Sequence, residues 1–147
     1  MIDEQVANSF CGTPEYLSPE MIDGSGHDQT LDWWTVGILL YEMLVGITPF
    51  YNTNQKILYQ LIQFAPVKFP ERQKHGFELS PEAVDLINGL LTKDKMKRLG
   101  KGEGYSQILS HPFFKNLNLI QLEKKELQPP VKPQVKELKE IIEAENQ

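Results

Sequence analysis

Two carboxylates lie inside the most apolar stretch of this chain. Asp32 and Glu42 belong to TLDWWTVGILLYEMLVG, residues 30–46, which is apolar on nearly every face. A helix with this pattern is expected to be buried in a core, and a buried carboxylate must be matched by hydrogen-bond donors. We therefore predict that Asp32 holds another loop through backbone N–H groups, in preference to capping only its own helix. Two interpretations of Glu42 remain open: it is a rim residue that reaches solvent, or an acid that faces a cationic partner.

The single cysteine, Cys11, and the three histidines make thiol chemistry a candidate. A cysteine nucleophile needs a base within hydrogen-bond reach and a third group that orients the base. Nothing in the spacing of His27, His75 and His111 specifies such an arrangement. We interpret Cys11 as a loop residue and the histidines as surface residues.

Other candidate groups have ordinary interpretations. The stretch GKGEG, residues 100–104, has the composition of a phosphate-binding loop but lies between two predicted helices and beside no strand, whereas such loops follow a strand. We interpret it as a connection and assign no nucleotide to it. Glu20 and Arg98 are each interpreted as solvated charges, and their spacing alone does not pair them.

The elements that position these residues are predicted to be helices. Residues 30–46 form the clearest one, with Thr30 and Gly46 as its start and stop signals. Asn52 or Thr53 is predicted to cap the next helix, NQKILYQLIQF, whose apolar residues recur at helical spacing.

Two further helices follow the Pro- and Gly-punctuated connection APVKFPERQKHGF. Ser80 followed by Pro81 is a strong start signal, because a hydroxyl cap precedes proline at the first helical position. YSQILSHPFF predicts a short helix that stops near Pro112. No alternating strand pattern is convincing, so the sequence predicts a mainly α fold.

The composition changes beyond about residue 119. LIQLEKKELQPPVKPQV predicts an extended, polyproline-like strip. In KELKEIIEAENQ apolar residues return at helical spacing, but about a dozen residues form only a marginal helix unless they dock on another surface.

Composition and charge exclude several classes of protein. The 147 residues, 40% of them hydrophobic, predict one domain. A net charge of −5 without a stripe of Lys and Arg argues against nucleic acid as a partner. The most apolar stretch is shorter than the ~20 residues of a membrane span, and no signal peptide is encoded. A single cysteine favours a reducing compartment, so we expect an intracellular, cytoplasmic protein.

The stretch SFCGTPEYLSPE, residues 9–20, predicts a loop with a defined path, because Pro14 and Pro19 fix their own φ and keep the preceding residues extended. With four later segments it resembles the C-terminal part of a eukaryotic protein kinase domain. Those segments are DWWTVGILLYEMLVGITPFY, VKFP, LLTKDKMKRLG followed by HPFF, and KKELQPPVKPQV. The combination is similar to the AGC group of serine/threonine kinases, nearest to the protein kinase B type, and covers about residues 9–135.

The resemblance implies a mainly α fold, the helices of the large C-terminal kinase lobe, truncated on its N-terminal side. It divides the chain into four parts. These are a truncated lead-in (1–8), the activation segment and substrate-binding loop (9–20), the helical lower half of the lobe (21–118), and an AGC-type C-terminal tail (119–147) that is atypical after about residue 135.

By the same resemblance, several residues organise the kinase site. Ser9 matches the activation-loop residue that an upstream kinase phosphorylates, where the family commonly has Thr. Thr13 would hydrogen-bond toward the catalytic aspartate and lysine of the upstream loop. Asp32 would accept backbone N–H groups of that catalytic loop. Glu20 would pair with Arg98 and tie the activation segment to the helical lobe.

Other matched residues would contact substrate. Phe10, Pro14 and Leu17 would form the pocket for the substrate residue after the phosphorylated one. Glu15 and Glu42 match acids that read substrate arginines.

The catalytic motifs of a kinase do not occur in this sequence. Phosphoryl transfer needs the catalytic-loop, metal-binding and lysine motifs HRD, DFG and VAIK, and none is found. We therefore expect no catalytic, cofactor-binding or metal-binding residue in this chain, and we expect ATP and Mg²⁺ to bind in the full-length parent.

The expected function is that of the C-terminal part of an AGC-type kinase, whose parent phosphorylates Ser or Thr near Arg; the chain alone is expected to be inactive. The expected partners are Arg-containing protein substrates, an upstream kinase and the missing small lobe. Two alternatives are a non-catalytic, pseudokinase-like module that binds basic peptides through Glu15 and Glu42, and an incomplete gene product that does not fold stably.

Overall fold

The computed structural model describes residues 14–26 and 28–132. Within these ranges the regular structure is helical, which confirms the predicted fold class. The α-helices are α1 (Pro19–Asp23), α2 (Thr30–Val45), α3 (Gln55–Phe64), α4 (Arg72–His75), α5 (Pro81–Leu90), α6 (Tyr105–Leu109) and α7 (Leu119–Glu123). Single 3-10 turns occupy Pro14–Tyr16 and Pro112–Phe114. The chain divides into two compact units, Met1–Lys115 and Asn116–Gln147.

The core of the first unit lies between α2 and α5. Trp34 is fully buried and stacks on Phe50, with the ring centroids 6.0 Å apart. Gly37 permits the close approach of the two helices, since a Cβ atom there would lie 2.8 Å from Leu91 Cδ2. The main cluster contains Trp34, Ile38, Tyr41, Phe50, Leu58, Ile62, Ile87 and Leu91.

One side of α2 is exposed, contrary to the prediction that this helix would be buried on every face. Val36, Leu39 and Met43 are 40%, 46% and 68% exposed. Their spacing of three and four residues places them on one stripe of the helix. Among the described residues nothing covers this stripe, because α5 packs against the opposite side.

Two of the helix ends predicted from the sequence are found in the structure. Gly46 is the C-cap of α2, and the Ser80 hydroxyl accepts the backbone N–H of Ala83 at the start of α5. The predicted cap of α3 was wrong. Asn54, and not Asn52 or Thr53, accepts the N–H groups at the start of α3, while Asn52 turns the chain by accepting the N–H of Asn54.

Lys93 makes a contact that its sequence context does not signal. Its ammonium group lies 3.7 Å from the centroid of Phe50 and donates to the carbonyl of Ile62 at 2.6 Å. Burial, and then the charge of Arg98, lower the pKa of Lys93 to about 7. Lys93 thereby ties the last turn of α3 to the aromatic centre of the core.

The second unit is described only as far as residue 132. The extended strip predicted from residue 119 was partly wrong, because α7 occupies Leu119–Glu123 with Asn118 as its N-cap. The Asn118 carboxamide oxygen accepts the N–H of Gln121. This cap stabilises the start of a helix, although the prolines that follow favour an extended chain. The helix predicted in KELKEIIEAENQ lies outside the described residues.

Gly100 is the position at which the fold most needs glycine. Its φ is +90°, and a Cβ atom there would lie 2.6 Å from Cδ1 of Trp33. We expect Gly100→Ala to lower the free energy of unfolding by about 2 kcal/mol or more, because backbone strain and overpacking add. Urea denaturation followed by circular dichroism measures this loss.

Gly102 is the matched control in the same loop, since a Cβ atom there would meet nothing within 4 Å. We expect Gly102→Ala to change the free energy of unfolding by less than about 0.5 kcal/mol. Equal losses in the two variants would contradict the packing role of Gly100.

Candidate functional site

The loop before α1 is anchored at its C-terminal end. The backbone N–H of Met21 donates to the Ser18 hydroxyl, and Pro19 begins the helix. The indole N–H of Trp34 donates to the carbonyl of Leu17 at 3.1 Å. The buried Trp34 of α2 therefore holds the loop that carries several of the predicted site residues.

A buried ion pair joins this loop to Arg98, which lies in the segment between α5 and α6. The two terminal nitrogens of the Arg98 guanidinium, Nη1 and Nη2, donate to the Glu20 carboxylate at 2.6 and 2.9 Å, and the side chains are 0% and 4% exposed. Arg98 also donates to the carbonyls of Thr30 and Thr92 at 3.0 Å. The interpretation of these two residues as solvated charges was wrong, because their 78-residue separation gave no sign of the contact. The pair that the family resemblance implied is present.

The electrostatics of Glu20 are set by opposing effects. Burial alone would raise the pKa of the carboxyl group, but the hydrogen bonds and charge of Arg98 outweigh it and lower the pKa. Glu20 is thus held as a carboxylate, and the guanidinium has a bidentate partner.

Two other carboxylates meet around the loop and the end of α2. The phenol of Tyr16 donates to Glu42, and the hydroxyl of Thr48 donates to Glu15 at 2.7 Å. The hydrogen bond to Glu42, partial burial and the charges of Glu42 and Glu15 raise the pKa of Tyr16. Both acids therefore act on the same phenol and form one negatively charged site.

Neither acid of this site is neutralised within the described part of the chain. Glu15 and Glu42 are half-buried, and no Lys, Arg or His among residues 14–26 and 28–132 forms an ion pair with either of them. Their hydrogen-bond partners are hydroxyl groups, which carry no positive charge. The arrangement suits a cationic ligand, and a guanidinium in particular.

Asp32 does not lie in the buried environment expected of it. Its side chain is exposed on the first turn of α2, and its backbone N–H donates to Gln29. Within the described residues its carboxylate accepts no hydrogen bond. The burial premise was wrong because α2 exposes one side, and the role of Asp32 in holding another loop stays a prediction.

The other predicted substrate residues are only partly described. Pro14 and Leu17 are half-buried in the loop and its 3-10 turn. The residues Ser9, Phe10, Cys11, Thr13 and His27 lie outside the described residues.

Among the described residues, no group of three His, Cys, Asp or Glu side chains is placed to hold a metal ion. The glycine-rich loop is used internally, because the N–H of Gly100 donates to the Gln107 carboxamide and Lys101 pairs with Asp28 at 2.6 Å. This confirms its interpretation as a connection between helices.

In the part of the chain that the structure describes, no helix is long and apolar enough to cross a membrane.

The helical fold is consistent with the C-terminal lobe of a protein kinase domain. Residues 1–114 match the model of the protein kinase domain. The chain belongs to this family, and its resemblance to AGC-group serine/threonine kinases is confirmed.

Curated relatives agree with this assignment. The chain is 46% identical over 128 residues to "Serine/threonine-protein kinase gad8" of Schizosaccharomyces pombe, an alignment that covers 87% of this chain and 21% of the relative. It is 44% identical over 132 residues to "RAC serine/threonine-protein kinase" of Drosophila melanogaster, covering 89% and 21%. It is 42% identical over 134 residues to "RAC-beta serine/threonine-protein kinase A" of Xenopus laevis, covering 90% and 26%. The chain spans about a fifth to a quarter of the length of these relatives.

The sequence alone did not reveal what positions the two acids. No sequence signal places Tyr16 or Thr48 at this site, because a threonine in a turn after a helix is common. The family resemblance indicated a site at Glu15 and Glu42, but no pattern in one sequence pairs an acid with a hydroxyl 33 residues away.

The Glu20–Arg98 pair predicts a large stability effect. We expect Glu20→Gln to lower the free energy of unfolding by about 3 kcal/mol, because it leaves a buried guanidinium without its counter-charge. Glu82→Gln is the control, since the Glu82–Lys115 pair is partly exposed and is worth at most about 1 kcal/mol. Urea denaturation of both variants measures the difference, and similar losses would contradict it.

The same pair predicts a pH dependence. Because the pKa of Glu20 is lower in the folded chain than its usual value of 4.5, its contribution to stability is complete above that pH. The contribution is lost as the pH falls through the lowered value of the folded state. We expect the stability gap between wild type and Glu20→Gln to be constant near about pH 6 and to shrink below about pH 4.5. Urea titrations at each pH measure it, and a constant gap in acid would contradict the expectation.

Proposed function

We propose that this chain provides the substrate-binding part of an AGC-type serine/threonine kinase that phosphorylates Ser or Thr near arginine. The observation that carries the proposal is the acidic site, in which Glu15 and Glu42 accept hydrogen bonds from the hydroxyls of Thr48 and Tyr16 and form no ion pair within the described residues. A guanidinium has N–H donors in a planar fork, which suits carboxylates held in place.

The proposal gives the neighbouring residues the roles that the family resemblance implies. Residues 9–20 act as activation segment and substrate loop, with Ser9 as the site that an upstream kinase phosphorylates. Phe10, Pro14 and Leu17 receive the residue after the target Ser or Thr. Glu20 and Arg98 hold this loop on the helical lobe.

Contacts with the rest of the kinase are part of the same proposal. Thr13 and Asp32 are assigned to the catalytic loop of the whole protein, which also holds ATP and Mg²⁺. The exposed stripe of α2 is consistent with further packing, since Val36, Leu39 and Met43 form a continuous apolar side of the helix. Because the HRD, DFG and VAIK motifs do not occur in this sequence, the chain alone is not expected to transfer phosphate.

The binding-module alternative is not favoured, because the relatives are kinases. The intracellular location predicted from the single cysteine stays a prediction, as does the division of the chain into its four parts.

Peptide binding by the 147-residue chain tests the acidic site. The probe is a short fluorescent peptide with arginines before a serine, and its control has citrulline, a neutral isostere, at each arginine. We expect the arginine peptide to bind more tightly and Glu42→Gln to weaken it about fivefold to tenfold, through loss of about 1 kcal/mol of ion pairing. Added salt should weaken the arginine peptide selectively.

Glu103→Gln is the matched control variant, because Glu103 is an exposed acid in the glycine-rich loop. It should bind both peptides as wild type does. Equal affinity of wild type for the arginine and citrulline peptides would overturn the proposed function.

A further inference from the structure

Thr48 is a buried hydroxyl whose hydrogen bond is directed into the acidic site. It is 5% exposed and follows the C-terminal end of α2. Buried polar groups in a folded chain normally hold the local backbone or complete an ion pair. Within the described residues, the other buried polar or charged side chains are Ser18, Glu20, Thr30 and Arg98.

Those four side chains have evident structural partners, whereas Thr48 does not bond to the backbone of its own turn. Ser18 caps α1, and Thr30 bonds to Asp28 at the start of α2. Glu20 and Arg98 pair with each other. The hydroxyl of Thr48 instead donates to a carboxylate 33 residues away, on the substrate loop.

The geometry of this bond leaves part of Glu15 available. Thr48 Oγ1 lies 2.7 Å from Oε2 of Glu15, the short distance of a hydrogen bond to a charged acceptor. A carboxylate has four lone-pair positions on two oxygens. One hydroxyl therefore occupies a single position. Within the described residues no other group donates to Glu15, so Oε1 can accept from a cation.

The Thr48 hydroxyl, which donates to Glu15, has little conformational freedom. Threonine is branched at Cβ and stiff at χ1, so its buried side chain offers the hydroxyl in one direction. Glutamate has three side-chain torsions and loses their freedom when it binds a ligand. A fixed donor that already holds the carboxylate removes part of this cost before the ligand arrives.

We propose that Thr48 is a positioning residue for arginine recognition, which orients the carboxylate of Glu15 toward the substrate guanidinium. This inference rests on the proposed function, since it concerns the same acidic site. Thr48 acts through Glu15 and does not touch the ligand.

The primary test compares Thr48→Val with Thr48→Ser in the full 147-residue chain. Valine keeps the shape and removes the hydroxyl, whereas serine keeps the donor. With the arginine peptide we expect Thr48→Val to weaken binding about threefold to tenfold and Thr48→Ser to stay within about twofold of wild type. The citrulline peptide should bind equally to all three chains.

A double-mutant cycle separates positioning from a general effect on the fold. If Thr48 acts through Glu15, Thr48→Val should have no further effect on binding in a Glu15→Ala chain, which lacks the acceptor. A loss of the same size in both backgrounds, or an equal loss by Thr48→Ser, overturns the proposal. Thermal melting checks that each variant is folded, and Thr48→Ala replaces Thr48→Val if the valine variant is not.

The order of the Glu15 side chain gives a readout that needs no ligand. Carbon-13 NMR relaxation should show the Glu15 side chain more mobile in Thr48→Val than in wild type and Thr48→Ser. Unchanged mobility overturns the positioning role. Failure of wild type to prefer the arginine peptide overturns the proposed function and this inference together, while Glu15-dependent binding that Thr48→Val leaves intact overturns only the inference.

Discussion

A buried guanidinium is stable only if its charge and its donors are all matched, and Arg98 meets this condition through contacts with several segments at once. It pairs with Glu20 in α1 and donates to carbonyls at the start of α2 and after α5. The loop that carries Glu15 ends at α1, so the position of this loop depends on the Glu20–Arg98 pair. Replacing either partner would leave a buried charge unmatched, which is why the contact constrains the fold more than an exposed ion pair does.

The Glu20–Arg98 ion pair also affects the acidic site. Glu15 comes from the loop that the ion pair restrains, whereas Glu42 and Thr48 come from α2 and the turn after it. The hydroxyls of Tyr16 and Thr48 hold the two carboxylates without neutralising them. A negative site of this kind has the chemistry to bind a guanidinium.

Local signals predicted local structure well. Gly46 ended α2 and Ser80 capped α5 as expected, because each signal involves neighbours along the chain. Predictions failed where two local solutions competed or where burial mattered. Asn54 caps α3, where Asn52 or Thr53 was predicted, and α7 occupies part of the segment for which an extended strip was predicted. Asp32 is exposed because one side of α2 has no described neighbour.

The sequence by itself determined the helical class of the chain, most of its helix starts and stops, and its family, because ordered motifs and periodic patterns are properties of the chain alone. It also indicated Glu15, Glu42, Glu20 and Arg98 through the family resemblance. Only the tertiary structure decided that Thr48 holds Glu15, that Lys93 lies over Phe50, and how deeply the Glu20–Arg98 pair is buried. These contacts join residues far apart in sequence, so they depend on how the helices pack.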